Sequence, residues 1–256
     1  MRADIDGVRF VMLDPSRCEI AKELYWGNGR RPRPEDDLAL RLASGLATGS
    51  DVFLDVGAYT GIFSLVVARS DPHVDVHAFE IVPAVVTMLR ANIERNGLAD
   101  RITIHAEGIG DPSTIMRVPE GTGGSALPSF FSSRMRFIEG VQVPFRSLDS
   151  LEGLVPARAR VVMKIDVEGT EDDIFEHGQR FLERTRADII CEVLPGVADG
   201  QRLTRLLQPH GYRFCLITPT GLASRSQILP DAGYRDWLFT CRSEEEVMSA
   251  VGRLPE

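Results

Sequence analysis

Two stretches of this chain concentrate the residue types from which a reaction centre can be built. In residues 52–61, VFLDVGAYTG, an apolar run meets Asp55, and Gly57 and Gly61 bracket a tight turn before an amphipathic helix. In residues 164–169, KIDVEG, a lysine and two carboxylates follow another apolar run. A glycine turn between strand and helix lets a ligand lie against bare backbone, because no Cβ stands in the way. The next strand-like run, residues 74–79, ends in Glu80. A carboxylate at such a strand tip suits the ribose hydroxyls of a nucleotide-type ligand. The spacing is G-x-x-x-G behind an aspartate, not the G-x-G-x-x-G that holds a pyrophosphate on a helix dipole. An aspartate at the mouth of the turn disfavours phosphate and favours a cation. S-adenosylmethionine, with its ammonium and sulfonium, fits that charge better than NAD.

The second stretch asks for a partner. Strand alternation puts Lys164, Asp166 and, if the strand continues, Glu168 on one side. The carboxyl end of a central parallel strand overhangs the crevice where open α/β sheets bind ligands. Charges buried there without partners are costly, so they must pair with each other, a metal or a substrate. The following strand, residues 189–193, carries Glu192 near its end. Asp166, Glu168 and Glu192 can therefore converge as an oxygen-rich site of the kind Mg²⁺ or Mn²⁺ accepts. A lysine–carboxylate ion pair with no metal is the other reading.

The elements that position these residues alternate from residue 51 onward, as in a doubly wound, mostly parallel α/β sheet covered on both faces. Strands are expected at 52–56, 74–79, 102–106, 161–165 and 189–193. Helices are expected at 62–68, from Pro83 to the Asn96-Gly97 cap, at 171–183 and at 201–207. Two last strands, 212–218 and 237–241, are close enough in sequence to pair antiparallel at one edge. Ser243 followed by three glutamates starts a final helix. Residues 1–50 form an extension with a strand at 9–13, helices around 18–25 and 36–46, and a polar loop at 27–34. Residues 51–256 form the main domain, interrupted by a long excursion at 112–145. An excursion of that length is usually functional or disordered, and this one reads as a lid or acceptor loop with a Gly/Ser hinge at 121–125.

Composition narrows the class. A chain of 256 residues suits one decorated α/β domain, and its formal charge of −8 argues against a nucleic-acid groove. Only two of its basic residues are lysines, Lys22 and Lys164, which makes a lysine inside an apolar strand conspicuous. Cys18, Cys191, Cys215 and Cys241 form no C-x-x-C pair and read as thiols of a reducing compartment. The first residues are charged and no apolar run approaches membrane-spanning length, so a cytoplasmic protein is expected. A homodimer stays open.

DVGAYTG at 55–61, FE at 79–80, SLDSL at 147–151, KIDVEGTE at 164–171 and CEV at 191–193 resemble the FkbM family of S-adenosylmethionine-dependent methyltransferases. The likeness spans about residues 51–195, with KIDVEG its most specific part. It implies a seven-stranded Rossmann-like sheet and O-methylation of a hydroxyl, often on a sugar, glycolipid or polyketide product. By resemblance, Asp55 and Gly57, within the turn that includes Ala58, Tyr59 and Gly61, would hold the methionine end. Glu80 would hold the ribose, and Ala106 and Glu107 would lie near adenine. Tyr59 stands where the family usually has Asn, and Ile-Val separates Glu80 from the proline that usually follows it.

Methyl transfer to an alcohol also needs a proton acceptor. None of the five histidines suits that role: His77 and His105 fall inside strands, His73 precedes one, and His177 and His210 sit on outer helices. Proton removal then falls to Asp166 or Glu192, to a metal, or to Lys164 if burial depresses its pKa. Tyr25, Trp26, the loop at 30–33, Phe130 and Phe131 are candidates for stacking on the acceptor; aromatics that pack a lid onto the domain are the other reading. An NAD-dependent oxidoreductase and a non-catalytic cofactor-binding module are the competing classes.

Overall fold

The computed structural model describes residues 1–120, 135 and 137–252. Phe130, Phe131 and the expected hinge at 121–125 lie outside the described residues.

The chain opens with a hairpin, β1 (Arg2–Ile5) and β2 (Val8–Val11), then α1 (Glu19–Trp26) and α2 (Pro34–Ala47). The alternating part follows as β3 (Val52–Val56), α3 (Ile62–Ser70), β4 (Asp75–Phe79), α4 (Pro83–Arg95) and β5 (Ile102–His105). Short strands β6 (Gly108–Ile109), β7 (Met116–Val118), β8 (Val141–Val143) and β9 (Phe145–Arg146) lie in the middle. The second half runs β10 (Val161–Ile165), α5 (Glu171–Glu176), α6 (Gln179–Thr185), β11 (Asp188–Glu192) and α7 (Gly200–Leu207). It closes with β12 (Arg213–Thr218), β13 (Gly221–Arg225), β14 (Asp236–Thr240) and α8 (Glu244–Val251).

The central sheet has eight strands in the order β13-β12-β14-β11-β10-β3-β4-β5. Five of them, β11, β10, β3, β4 and β5, are parallel. β3 and β10 are fully buried along their length, which is why they read as apolar runs interrupted only by Asp55 and Lys164 near their carboxyl ends. From β3 the chain winds one way through β4 and β5, and from β10 it winds the other way through β11. The β3–β10 boundary is thus the switch point at which such sheets open a crevice. The glycine turn and KIDVEG sit side by side at that boundary.

Three expectations need correction. The sheet has eight strands rather than seven, because Gly221–Arg225 folds back on β12 as a half-exposed edge. The last two strands of the expected set do pair antiparallel, but β14 is internal rather than at the edge, hydrogen-bonded between β11 and β12 and antiparallel to both. The single helix expected at 171–183 is two, separated at His177-Gly178. A Cβ on Gly178 would stand 2.7 Å from Leu148 Cδ2, so the glycine admits the 3₁₀ turn Leu148–Gly153 against the helix pair.

One apolar core lies on each sheet face. The first gathers Phe10, Leu24, Leu40, Leu46, Leu65, Val67 and Leu89, so the N-terminal extension shares a core with α3 and α4. Asn92 and Asn96 on α4 tie the hairpin down, accepting from the backbone N–H groups of Leu13 and Val11 at 2.8 Å each. The second core packs α5, α6 and α7 through Phe175, Phe181 and Leu203 against Met163, Ile189 and Trp237. Within the excursion, β7 and β8 pair antiparallel over a small cluster of Met116, Val118 and Val143.

Candidate functional site

A cavity of about 570 Å³ opens over the carboxyl ends of β3, β4, β10 and β11. That volume is in the range of sites for drug-sized or cofactor-sized ligands. One half is walled by the turn after β3, the tip of β4, and Glu107, Gly108, Ile109 and Phe145. The other half is walled by Lys164, Asp166, Glu168, Glu192, Arg235 and Asp236, with Glu19, Glu23, Arg31 and Asp36 from the N-terminal extension.

The turn is shaped by its glycine. Gly57 has φ +79°, and a Cβ there would stand 1.8 Å from the Asp166 carbonyl oxygen. The loops after β3 and β10 can meet only because that atom is missing. The backbone N–H groups of Gly57 and Ala58 both donate to the Phe79 carbonyl, at 3.0 and 2.9 Å, which locks the turn onto β4. Tyr59 takes φ +48°, a left-handed conformation that asparagine adopts far more readily than tyrosine. Gly61 is the N-cap of α3.

Asp55 is buried at the end of β3, and its Oδ2 accepts from the Ser64 N–H at 3.0 Å and the Ser64 hydroxyl at 2.5 Å. It therefore secures the first turn of α3 as well as lining the cavity. Burial pushes its carboxyl up to about 6 against the lowering effect of Ser64. Glu80 accepts three backbone N–H bonds, from Tyr59 at 2.9 Å on one oxygen and from Ile81 and Val82 at 2.8 and 2.9 Å on the other. Burial still dominates and raises it to about 7. Of the pair expected near adenine, Glu107 lines the cavity and Ala106 does not. Glu107 is held by Arg146 at 3.4 Å.

Asp166, Glu168 and Glu192 present carboxylate oxygens that all lie within 4.8 Å of one another. Glu168 reaches this point differently from the expected strand alternation. β10 ends at Ile165, and a left-handed turn, φ +59° at Glu168 and +99° at Gly169, carries its side chain back. Glu192 is only 5% exposed; its Oε1 meets Arg235 at 3.2 Å, and its Oε2 is buried without a hydrogen-bond partner among the described residues. Burial, then the Asp166 charge, pushes Glu192 far above the ordinary carboxylate range. The same two causes raise Glu168 to about 7.

Lys164 is 3% exposed and lies 2.9 Å from Asp236 and 3.6 Å from Asp166, with its ammonium 5.3 Å from the Phe63 ring centre. Burial presses it toward neutrality, but Asp236, Asp166 and Glu192 more than reverse this and hold it above the usual lysine value. Arg235 and Asp236 were not singled out from the sequence. They precede or begin a strand whose placement beside β11 only the tertiary structure decides, and a neighbouring pair of opposite charges carries no pattern.

Tyr25 and Trp26 do not reach the cavity lining. They contact each other edge to face, 55% and 77% exposed, at the far end of α1. The same helix instead contributes Glu19, Ile20 and Glu23 from its beginning. From the loop at 30–33, Arg31 does line the cavity, tied to Glu23 at 3.1 Å and Asp36 at 2.8 Å. No histidine is among the described lining residues. His77 and His105 pair with each other, nitrogen to nitrogen at 3.0 Å, and His105 stacks on Phe79. No described helix is long and apolar enough to cross a membrane.

Residues 55–214 match the family model described as "Methyltransferase FkbM domain". A protein of Beauveria bassiana (strain ARSEF 2860) named "Methyltransferase 1" is 26% identical over 188 residues, which is 65% of this chain and 74% of that protein. The methyltransferase FkbM from Methylobacillus flagellatus KT is 16% identical, with TM-score 0.48. The match covers 75% of this chain and 44% of that one, so the chain spans less than half of that relative's length. Fibrillarin of Aeropyrum pernix with natively bound S-adenosyl-L-methionine is 11% identical with TM-score 0.46, over 94% of this chain and 81% of that one.

Proposed function

The chain belongs to the FkbM family of S-adenosylmethionine-dependent methyltransferases, and from that premise we propose that it methylates a hydroxyl oxygen of a sugar, oligosaccharide or glycosylated natural product. The observation that carries this reading is the carboxylate group Asp166, Glu168 and Glu192 beside the glycine turn, in a cavity with no histidine among its described lining residues. A neutral alcohol must lose its proton to attack carbon, and carboxylates are the basic groups at hand.

The cofactor fits the half of the cavity built on β3 and β4. S-adenosylmethionine supplies a methyl on a positively charged sulfur, which leaves as a neutral thioether. Glu80 is placed to accept from ribose hydroxyls, the Gly57–Ala58 backbone admits a close ligand, and Asp55 and Asp166 give that end a field suited to a cation. Glu107, Phe145 and Ile81 surround the space beyond Glu80 where the base would lie.

The acceptor half supports a divalent cation, Mg²⁺ or Mn²⁺, held by Asp166, Glu168 and Glu192. Counting Lys164 and Arg235 against Asp166, Glu168, Glu192 and Asp236, full ionisation would leave the set two charges negative, and it is the charge of Asp166 that, after burial, holds Glu168 and Glu192 above the ordinary carboxylate range. The unpartnered Glu192 Oε2 asks for an electropositive group. A cation there would lower the pKa of an acceptor hydroxyl and so assist its deprotonation. The acidic lining and the overall charge favour a small-molecule or oligosaccharide acceptor over nucleic acid. The four unpaired cysteines favour a cytoplasmic setting.

The test is turnover of S-adenosylmethionine against a panel of sugars, glycolipids and macrolide-like alcohols, with mass spectrometry of the products. O-methylated product, lost after exhaustive EDTA treatment and restored by Mg²⁺ or Mn²⁺, is the expected outcome. Methyl groups found only on nitrogen, carbon or sulfur would overturn the acceptor chemistry. Full activity in metal-free buffer would overturn the cation and leave the carboxylates as the proton acceptors.

A further inference from the structure

The acceptor half is completed by a strand outside the segment that the family model matches, residues 55–214. β14 runs antiparallel to β11, which sets Asp236 opposite Glu192 in the register, and the Val193 N–H donates to the Arg235 carbonyl at 2.8 Å. Each of these two β14-side residues meets one charge of the cluster. Asp236 Oδ1 accepts from the Lys164 ammonium at 2.9 Å, and Arg235 meets Glu192 Oε1 at 3.2 Å.

Lys164 has two carboxylates in reach, and the distances rank them. Asp236 is at full hydrogen-bonding distance, whereas Asp166 is 3.6 Å away. Asp236 is also the better shielded, its side chain 13% exposed against 34% for Asp166. With Phe63 beside it and 3% exposure, the ammonium cannot turn to water. Remove the Asp236 charge, and Asp166 is the nearest remaining counterion.

We propose that Asp236 is a positioning residue of the cation site: it engages Lys164 and thereby keeps the Asp166 carboxylate available to a divalent cation. This inference rests on the cation reading given under Proposed function. Arg235 plays the matching part on the other side, fixing Glu192 through Oε1 so that Oε2 remains free for the ion. β14 thus sets the charge of the site through Lys164 and Glu192.

The experiment measures Mn²⁺ binding to the cofactor-free protein by calorimetry and by the electron paramagnetic resonance of free Mn²⁺. Asp236→Asn weakens Mn²⁺ binding by about 10–100-fold, the range for losing a group that orients a metal ligand. The double variant Lys164→Gln/Asp236→Asn recovers most of that affinity, because no ammonium is left to claim Asp166. Lys164→Gln alone binds Mn²⁺ more tightly than the unaltered protein. S-adenosylhomocysteine binding and the unfolding midpoint, read in parallel, report whether each variant keeps its fold. A merely structural role for Asp236 would leave the double variant as weak as Asp236→Asn, and that result overturns the proposal. So does unaltered Mn²⁺ affinity in Asp236→Asn, or unaltered or weaker binding in Lys164→Gln if Asp236→Asn does not fold. Absence of Mn²⁺ binding in the unaltered protein removes the cation reading itself, and the role of Asp236 with it.

Discussion

Glu80 carries two opposed effects, and their balance makes it a pH-dependent contact. Its three backbone N–H donors favour the carboxylate, but burial outweighs them and raises the group to about 7. Ribose hydroxyls donate best to the ionised form, so cofactor binding draws on the ionised fraction alone. That fraction is about half at pH 7, nearly complete only toward about pH 8, and falls away below neutrality. S-adenosylhomocysteine affinity should therefore decline below neutrality, approaching about tenfold per pH unit. Glu80→Gln should weaken binding by about 1.5–3 kcal/mol at pH 8, the range for hydrogen bonds to a charged group, and flatten the pH dependence. Calorimetry from pH 6 to 8 checks both; equal slopes in the two proteins would remove Glu80 from the ribose. Single residues at strand ends, Asp55, Glu80, Asp166 and Glu192, were legible in the sequence because an apolar run that stops at a carboxylate marks its own end. Asp236 and Arg235 were not, since their meaning depends on which strand lies beside them.

Elements were legible in proportion to how completely they are buried. β3 and β10 are buried on both faces, and the apolar runs that open them were plain in the sequence, although a charged residue, Asp55 or Lys164, stands one position before each strand ends. β13, half exposed at the edge, has no such run, and the β1–β2 hairpin was visible only in its second strand. The break between α5 and α6 depends on the approach of residues 148–153 from elsewhere in the chain, which no local pattern encodes. The turn after β3 is the element on which both halves of the site depend, and Gly57→Ala tests it. The substitution meets a left-handed backbone and an overlap with the Asp166 carbonyl at 1.8 Å. The strained backbone alone should cost about 1–3 kcal/mol, and relief of the overlap must separate β3 from β10. Urea unfolding should show that loss, with cofactor binding abolished. A variant of unchanged stability would mean that the two loops are not held together in solution.

At the scale of the whole molecule, the sheet gathers acidic groups at its switch point and relies on ligands to neutralise them. Asp55 and Glu171 are raised to about 6, Glu80 and Glu168 to about 7, in each case chiefly by burial. In the unfolded chain the same groups release their protons near pH 4. Between about pH 4 and 7 the folded protein therefore binds more protons than the unfolded chain, and unfolding free energy falls as pH rises through that window. The stability these groups confer is complete below their unfolded values and lost as pH climbs through about 6 to 7. The cofactor-free, metal-free protein should accordingly show a higher urea midpoint at about pH 5.5 than at about pH 7.5. Mn²⁺ acts in the opposite sense, since it binds the ionised carboxylates and only in the folded state. Its stabilising effect should be larger at the higher pH, narrowing or reversing the difference between the two midpoints. Chemical unfolding at both pH values, with EDTA and with Mn²⁺, reads all four midpoints. A metal-free midpoint that rises steadily from pH 5.5 to 7.5 would show that these carboxylates ionise in the fold without cost, and the case for a neutralising cation would lose its electrostatic basis.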